Sequence, residues 1–175
     1  MAQEEHLSFK GVPINGTLKQ YTAEMVKAGF NYEGTEDGLA LLTGDFAGFK
    51  GCIIGVSTLK NCDVVSFIAV LFPEKDTWSA LISDYEYLKS LLTEKYGMPE
   101  KNLEQFTSYV GNSDDLKLMA LNNGEIRWYT IFSTELGNIE LTLIGGSYSS
   151  KGMVKLSYYD KVNSATVRQS VLDDL

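Results

Sequence analysis

The alternation of apolar and polar positions changes period several times along the chain, and each change marks an element. Leu7-Ser8-Phe9-Lys10 reads as a short strand closed by Gly11-Val12-Pro13. Asn15-Gly16 interrupts the chain, and Thr17 with Gln20 forms a capping-box pattern. Leu18, Tyr21, Met25 and Val26 then recur at helical spacing, which predicts a first helix, and Gly29 suits the left-handed stop that ends it. From Phe30 to Phe72 the period shortens to that of strands. Branched and aromatic residues fill 30–33, 39–46, 50–58 and 64–72, with Gly34, Gly38, Gly48 and Asn61 in the gaps. These gaps are too short for parallel crossovers, so the strands form a meander of hairpins.

The longest apolar stripe is Trp78, Leu81, Ile82, Tyr85, Leu88, Leu92 and Tyr96. It predicts a second helix capped by Asp76, ended by Gly97 and Pro99, and on the order of 30 Å long. Strands are expected again over 105–110, 116–121, 125–132, 138–144 and 153–159, with Asn122-Asn123-Gly124 as a hairpin turn. Residues 160–175 suit a terminal helix, with Val162, Ala165, Val167 and Val171 weakly periodic.

The resulting fold class is α+β: a large antiparallel sheet of about eight or nine strands with two main helices on one face, in two layers. The order is one helix and four strands, then a second helix and four or five strands, in one domain spanning residues 1–175. First-half strands are apolar on both faces, the pattern of a sheet covered on both sides. Second-half strands alternate more cleanly, which predicts one open face.

Strand parity identifies that face. Trp128, Thr130, Phe132, Ile139, Leu141, Leu143, Val154, Leu156 and Tyr158 share the side that receives the helices. The opposite side carries Arg127, Tyr129, Glu140, Lys155 and Tyr159, the candidate binding residues, together with Ile131, Thr142, Ile144 and Ser157. Arg and Tyr combine contact area with hydrogen bonding at modest entropic cost, as binding surfaces require. The plainer reading is that such residues serve solubility and cross-strand pairing.

Composition narrows the functional classes. The chain has 175 residues and a formal charge of −8, with the acidic excess mainly in the first hundred residues. That balance disfavours general nucleic-acid binding, because phosphate backbones repel it. No apolar run is long enough for a membrane-spanning helix. The start Met1-Ala2-Gln3-Glu4-Glu5 resembles a mature secreted protein with an added Met, and equally an ordinary cytoplasmic start; no signal peptide is present in this sequence.

Catalytic and cofactor motifs are missing. The one His, His6, stands near the terminus with no local group to orient it, which argues against Ser-His-Asp and Cys-His sites. Gly44-Asp45-Phe46-Ala47-Gly48 and Gly51 fit neither a dinucleotide fingerprint nor a P-loop. Gly111-Asn112-Ser113-Asp114-Asp115 reads as a solvated acidic turn and lacks the ligand spacing of a calcium loop. No metal site and no cofactor are expected. Cys52 and Cys62 flank a turn near Lys60-Asn61 and stand on the order of 20 Å apart along the hairpin, so two free thiols are expected.

The opening Phe9-Lys10-Gly11-Val12-Pro13-Ile14-Asn15-Gly16-Thr17, the Gly29-Phe30 helix stop, and Phe72-Pro73 through Trp78 to Lys95-Tyr96-Gly97-Met98-Pro99 resemble uncharacterised secreted proteins of gut Bacteroidetes. That resemblance implies an extracytoplasmic, periplasmic or secreted location and no particular chemistry. The helix-then-strands layout is similar to the β-lactamase-inhibitor-protein-like fold, which includes small periplasmic modules that bind other proteins. Three functions stay open: a non-enzymatic binding module holding a protein or glycan partner on its open sheet face, a hydrolase with scattered carboxylates, and a structural protein that self-associates as a homodimer through the first-half sheet.

Overall fold

The computed structural model describes residues 5–59, 62–148 and 150–173. The expected turn at Lys60-Asn61 and the reading of Met1 to Glu4 lie outside them. The architecture is α+β. Eight strands form one open antiparallel sheet in the order β3-β4-β5-β6-β10-β9-β8-β7, and a separate two-stranded ribbon pairs β1 with β2. The chain divides into two compact units, Met1–Val70 with Thr134–Ile139 and Ser157–Leu175, and Leu71–Ser133 with Glu140–Leu156.

The first unit begins with the ribbon β1 (Ser8–Phe9) and β2 (Val12–Pro13). Its turn is Lys10-Gly11, at φ 52° and 77°, since a two-residue hairpin matching strand twist needs positive φ at both positions. Helix α1 (Leu18–Lys27) follows, with the capping box closed in both directions between Thr17 and Gln20. Leu18, Tyr21 and Met25 are buried, whereas Val26 faces outward. Then come β3 (Asn31–Glu36), β4 (Leu39–Phe46), β5 (Phe49–Leu59) and β6 (Cys62–Leu71). Two further tight turns, Asp37-Gly38 and Ala47-Gly48, carry positive φ at both residues. Alternate residues Ala40, Leu42, Cys52, Ile54 and Val56 are buried, and burying each large apolar side chain contributes about 2 kcal/mol. The Phe9 ring anchors the core, 5.0 Å from Phe46, 6.1 Å from Phe30 and 5.3 Å from Tyr158. The expected cover on both faces is absent among the described residues: Leu39, Leu41 and Ile53, on the other side of these strands, are 42–43 % exposed.

In the second unit, α2 (Trp78–Tyr96) buries Trp78, Leu81, Tyr85, Leu88 and Leu92 of the expected stripe, while Ile82 and Tyr96 at its flanks are half-buried. Thr77 caps it in place of Asp76, its hydroxyl accepting from the Ala80 amide at 3.2 Å. β7 is Lys101–Phe106, earlier than the expected 105–110, and pairs antiparallel with β8 (Ile126–Thr134). β9 (Gly137–Gly145) and β10 (Gly152–Asp160) follow, and α4 (Lys161–Asp173) belongs to the first unit.

The expected strand at 116–121 is a helix, α3 (Asp114–Asn122). Ser113 caps it by accepting from the Leu116 amide, and Asp114 and Asp115 occupy the first turn, where carboxylates complement the helix dipole. Asn122-Asn123-Gly124 therefore ends a helix. The Gly124 amide bonds Leu121 O and the Glu125 amide bonds Ala120 O, with Gly124 at φ 74°, which is the paired Schellman geometry. Leu118 and Leu121 are buried, and their methyl groups approach Gly152 beside Leu81.

Candidate functional site

Pairing of β7 with β8 sets the candidate face of the second unit. Gln105 lies opposite Arg127, Leu103 opposite Tyr129, and Lys101 opposite Ile131. Directly opposed residues share a face, so these six stand on one side. The alternate set points the other way, toward α2. Trp128 packs edge-on to Trp78 at 5.2 Å and lies 5.7 Å from Phe106. Buried Thr130 stands between Tyr85 Oη at 2.7 Å and Asn102 Oδ1, to which its hydroxyl donates at 2.6 Å. Lys89 of α2 reaches Glu104 on the same inner side at 2.5 Å and Glu86 at 2.8 Å.

Arg127 is exposed, and Tyr129, Glu140 and Lys155 are half-buried. Ile131, Thr142 and Ile144 are half-buried as well, so this side is partly wet throughout. Tyr159 belongs to the other unit, where it is 37 % exposed and its ring lies 4.8 Å from Phe67. Ser157, expected on the wet side, is buried.

A polar cluster that the sequence does not reveal lies in the first unit. Asp160 is fully buried at the N-terminus of α4. Its Oδ1 accepts from the Leu7 amide at 2.8 Å, and its Oδ2 accepts from the Asn163 amide at 2.9 Å and lies 3.0 Å from His6 Nδ1. Asn163 Nδ2 donates to Ile14 O, Val65 O and Asn15 Oδ1 at 3.0–3.1 Å. His6 thus has an orienting carboxylate after all, and its side chain is 8 % exposed. Among the described residues the imidazole's polar contact is this carboxylate.

Two clefts open in this unit. One, of about 1080 Å³, is bordered by His6, Asn15, Gln20, Tyr21 and Glu24. Glu24 is ion-paired to Lys27 at 2.7 Å, and the Tyr21 hydroxyl, whose pKa burial pushes upward, donates to Val12 O at 3.3 Å. The other, of about 720 Å³, runs beside α1 and includes Lys19, Tyr32, Thr35, Asp37, Thr58 and Asp63. Asp63 is occupied in part by accepting from the Leu18 amide at 2.9 Å, at the start of α1.

Cys52 is buried and Cys62 half-buried, both as free thiols. Among the described residues no three His, Cys, Asp or Glu side chains are grouped as metal ligands, and no helix is long and apolar enough to cross a membrane. Comparison with known proteins adds no assignment: no family model, no curated protein and no solved structure matches this chain.

Proposed function

We propose that the protein is a non-enzymatic, extracytoplasmic binding module that holds a protein or glycan partner on the open sheet face of its second unit. The observation that supports this reading is the exposed Arg127 two residues from half-buried Tyr129 on β8, both facing away from α2. A guanidinium offers a planar fork of donors, and a tyrosine ring offers contact area with a polar tip. Glu140 and Lys155 on β9 and β10 add a charge of each sign in the same unit. The extracytoplasmic location rests on the resemblance in residues 9–30 and 72–99. The analogy of layout to the β-lactamase-inhibitor-protein-like fold rests on α1 preceding β3 to β6 and α2 preceding β7 to β10, with α3 inserted after β7.

The test scans the labelled full chain against arrayed bacterial glycans and a panel of purified extracytoplasmic proteins. Ligands retained by the wild type are then titrated against an Arg127→Ala/Tyr129→Ala variant. Loss of at least tenfold in affinity with an unchanged melting curve is expected. A ligand that binds both forms equally removes this face from the reading.

A further inference from the structure

The outer face of the first unit carries a second surface, independent of the one above. On β4, Leu41 stands between Gly34 of β3 and Gly55 of β5 in the hydrogen-bonded register. Neither neighbour has a side chain, so an aliphatic residue rises beside bare backbone on both flanks. Leu39, two residues earlier on the same face, lies between Glu36 and Ser57, and Ile53 lies opposite Thr43. Leu39 and Leu41 are each 42 % exposed and Ile53 is 43 % exposed, although large apolar side chains in the alternate register are wholly buried. A shallow depression of about 590 Å³ follows from this arrangement, bordered by Leu39, Leu41, Gly34, Glu33, Glu36 and Asp37. The register shift between Tyr32 and Gly34 makes Glu33 the extra residue of a bulge and places its carboxylate where Thr43 donates to it at 2.6 Å. β3 is also the terminal strand of the sheet order, so among the described residues one of its backbone edges has no neighbouring strand.

We infer that this depression docks a cationic polypeptide segment, with an apolar side chain seated between Leu39 and Leu41 and Lys or Arg residues on either side facing Glu33 and Glu36. Charge selects the occupant. Among the described residues the rim holds carboxylates and no Lys or Arg, with exposed Glu36 foremost, so it attracts a basic chain and repels a phosphate backbone. A second copy of this protein, at −8, would bring the same acidic rim against itself in a two-fold contact. The walls are aliphatic, which suits a Leu or Val side chain better than a sugar ring, whose usual platform is aromatic. An extended segment would also satisfy the backbone edge of β3 by strand addition.

The experiment uses the full chain and a synthetic peptide of about twelve residues alternating Lys with Val, and a Glu-for-Lys peptide as control, by fluorescence anisotropy. The Lys peptide is expected to bind and the Glu peptide not to bind. Leu41→Ala and Glu36→Lys are each expected to weaken binding at least tenfold, while Glu94→Lys, an equal charge change on exposed α2 surface, leaves it unaltered. Circular dichroism melts confirm that each variant folds. Equal weakening by Glu36→Lys and Glu94→Lys would mean attraction to net charge alone and overturn the inference. So would absence of binding, binding unaffected by Leu41→Ala, or a dimer in sedimentation that Leu41→Ala dissociates.

Discussion

His6 Nδ1 lies 3.0 Å from Asp160 Oδ2, joining positions 154 residues apart in the chain. The same carboxylate holds the Leu7 amide and the Asn163 amide, so one buried side chain ties the residues just before β1 to the start of the last helix. Its role is structural: two backbone amides donate to a carboxylate whose burial without partners would be costly, and the imidazole lies within hydrogen-bond distance of it.

Asp160→Ala removes a helix cap and leaves those donors without their acceptor. The expected loss is roughly 3 kcal/mol in urea unfolding, from the cost of a lost cap and of unsatisfied buried donors. His6→Ala removes one of the three contacts and is expected to cost less, about 1 kcal/mol. Equal stability of Asp160→Ala and wild type would show that the cluster does not hold the termini.

Alkaline pH is expected to weaken the fold through two phenols. Burial raises the pKa of Tyr21 and of Tyr85, the latter against the hydrogen bond to Thr130, which acts to lower it. The native state then keeps protons that the unfolded chain releases near pH 10. Stability from these groups is fully present below about pH 10 and falls as pH rises above it. A Tyr21→Phe/Tyr85→Phe variant, compared by urea midpoints at about pH 8 and 11, should lose less stability across that interval than the wild type. An identical fall in both proteins would assign the alkaline sensitivity elsewhere.

Helix α3 offers a direct check on its C-terminal geometry. Gly124→Ala forces a side chain into φ 74° and is expected to cost about 1 kcal/mol, and Ser113→Ala a similar amount at the other end. Were the segment a hairpin turning at Asn122-Asn123-Gly124, Ser113→Ala would be neutral, so the pair of melting curves separates the two structures.

The two thiols should differ in reactivity. Burial pushes the Cys52 thiol up to about 11, and it is fully buried, whereas Cys62 is half-buried. A thiolate is the attacking species, so an aromatic disulfide reagent at about pH 8 should label Cys62 first and Cys52 only on unfolding. Simultaneous labelling of both in the native protein would contradict the burial of Cys52.

Local signals were legible wherever residues near in sequence decide the structure. The Thr17–Gln20 capping box closes as its spacing implies, and Gly29 follows the end of α1 at φ 102°. The alternation in β8 does send Trp128, Thr130 and Phe132 inward and leaves Arg127 exposed. The 114–122 segment misleads because Leu116, Leu118 and Ala120 fit an alternating template while Leu118 and Leu121 fit a helical one, and an Asn-Asn-Gly tripeptide serves a tight turn and a helix stop equally well. The caps Ser113 and Gly124 together discriminate, though each alone is a common turn residue.

The sequence by itself determined the fold class and two main helices, because hydrophobic period and capping act over a few residues. Only the tertiary structure decided which carboxylate meets His6, and that Leu39, Leu41 and Ile53 stand uncovered. Burial and pairing between distant segments depend on the register in which strands meet, and period alone does not carry that register.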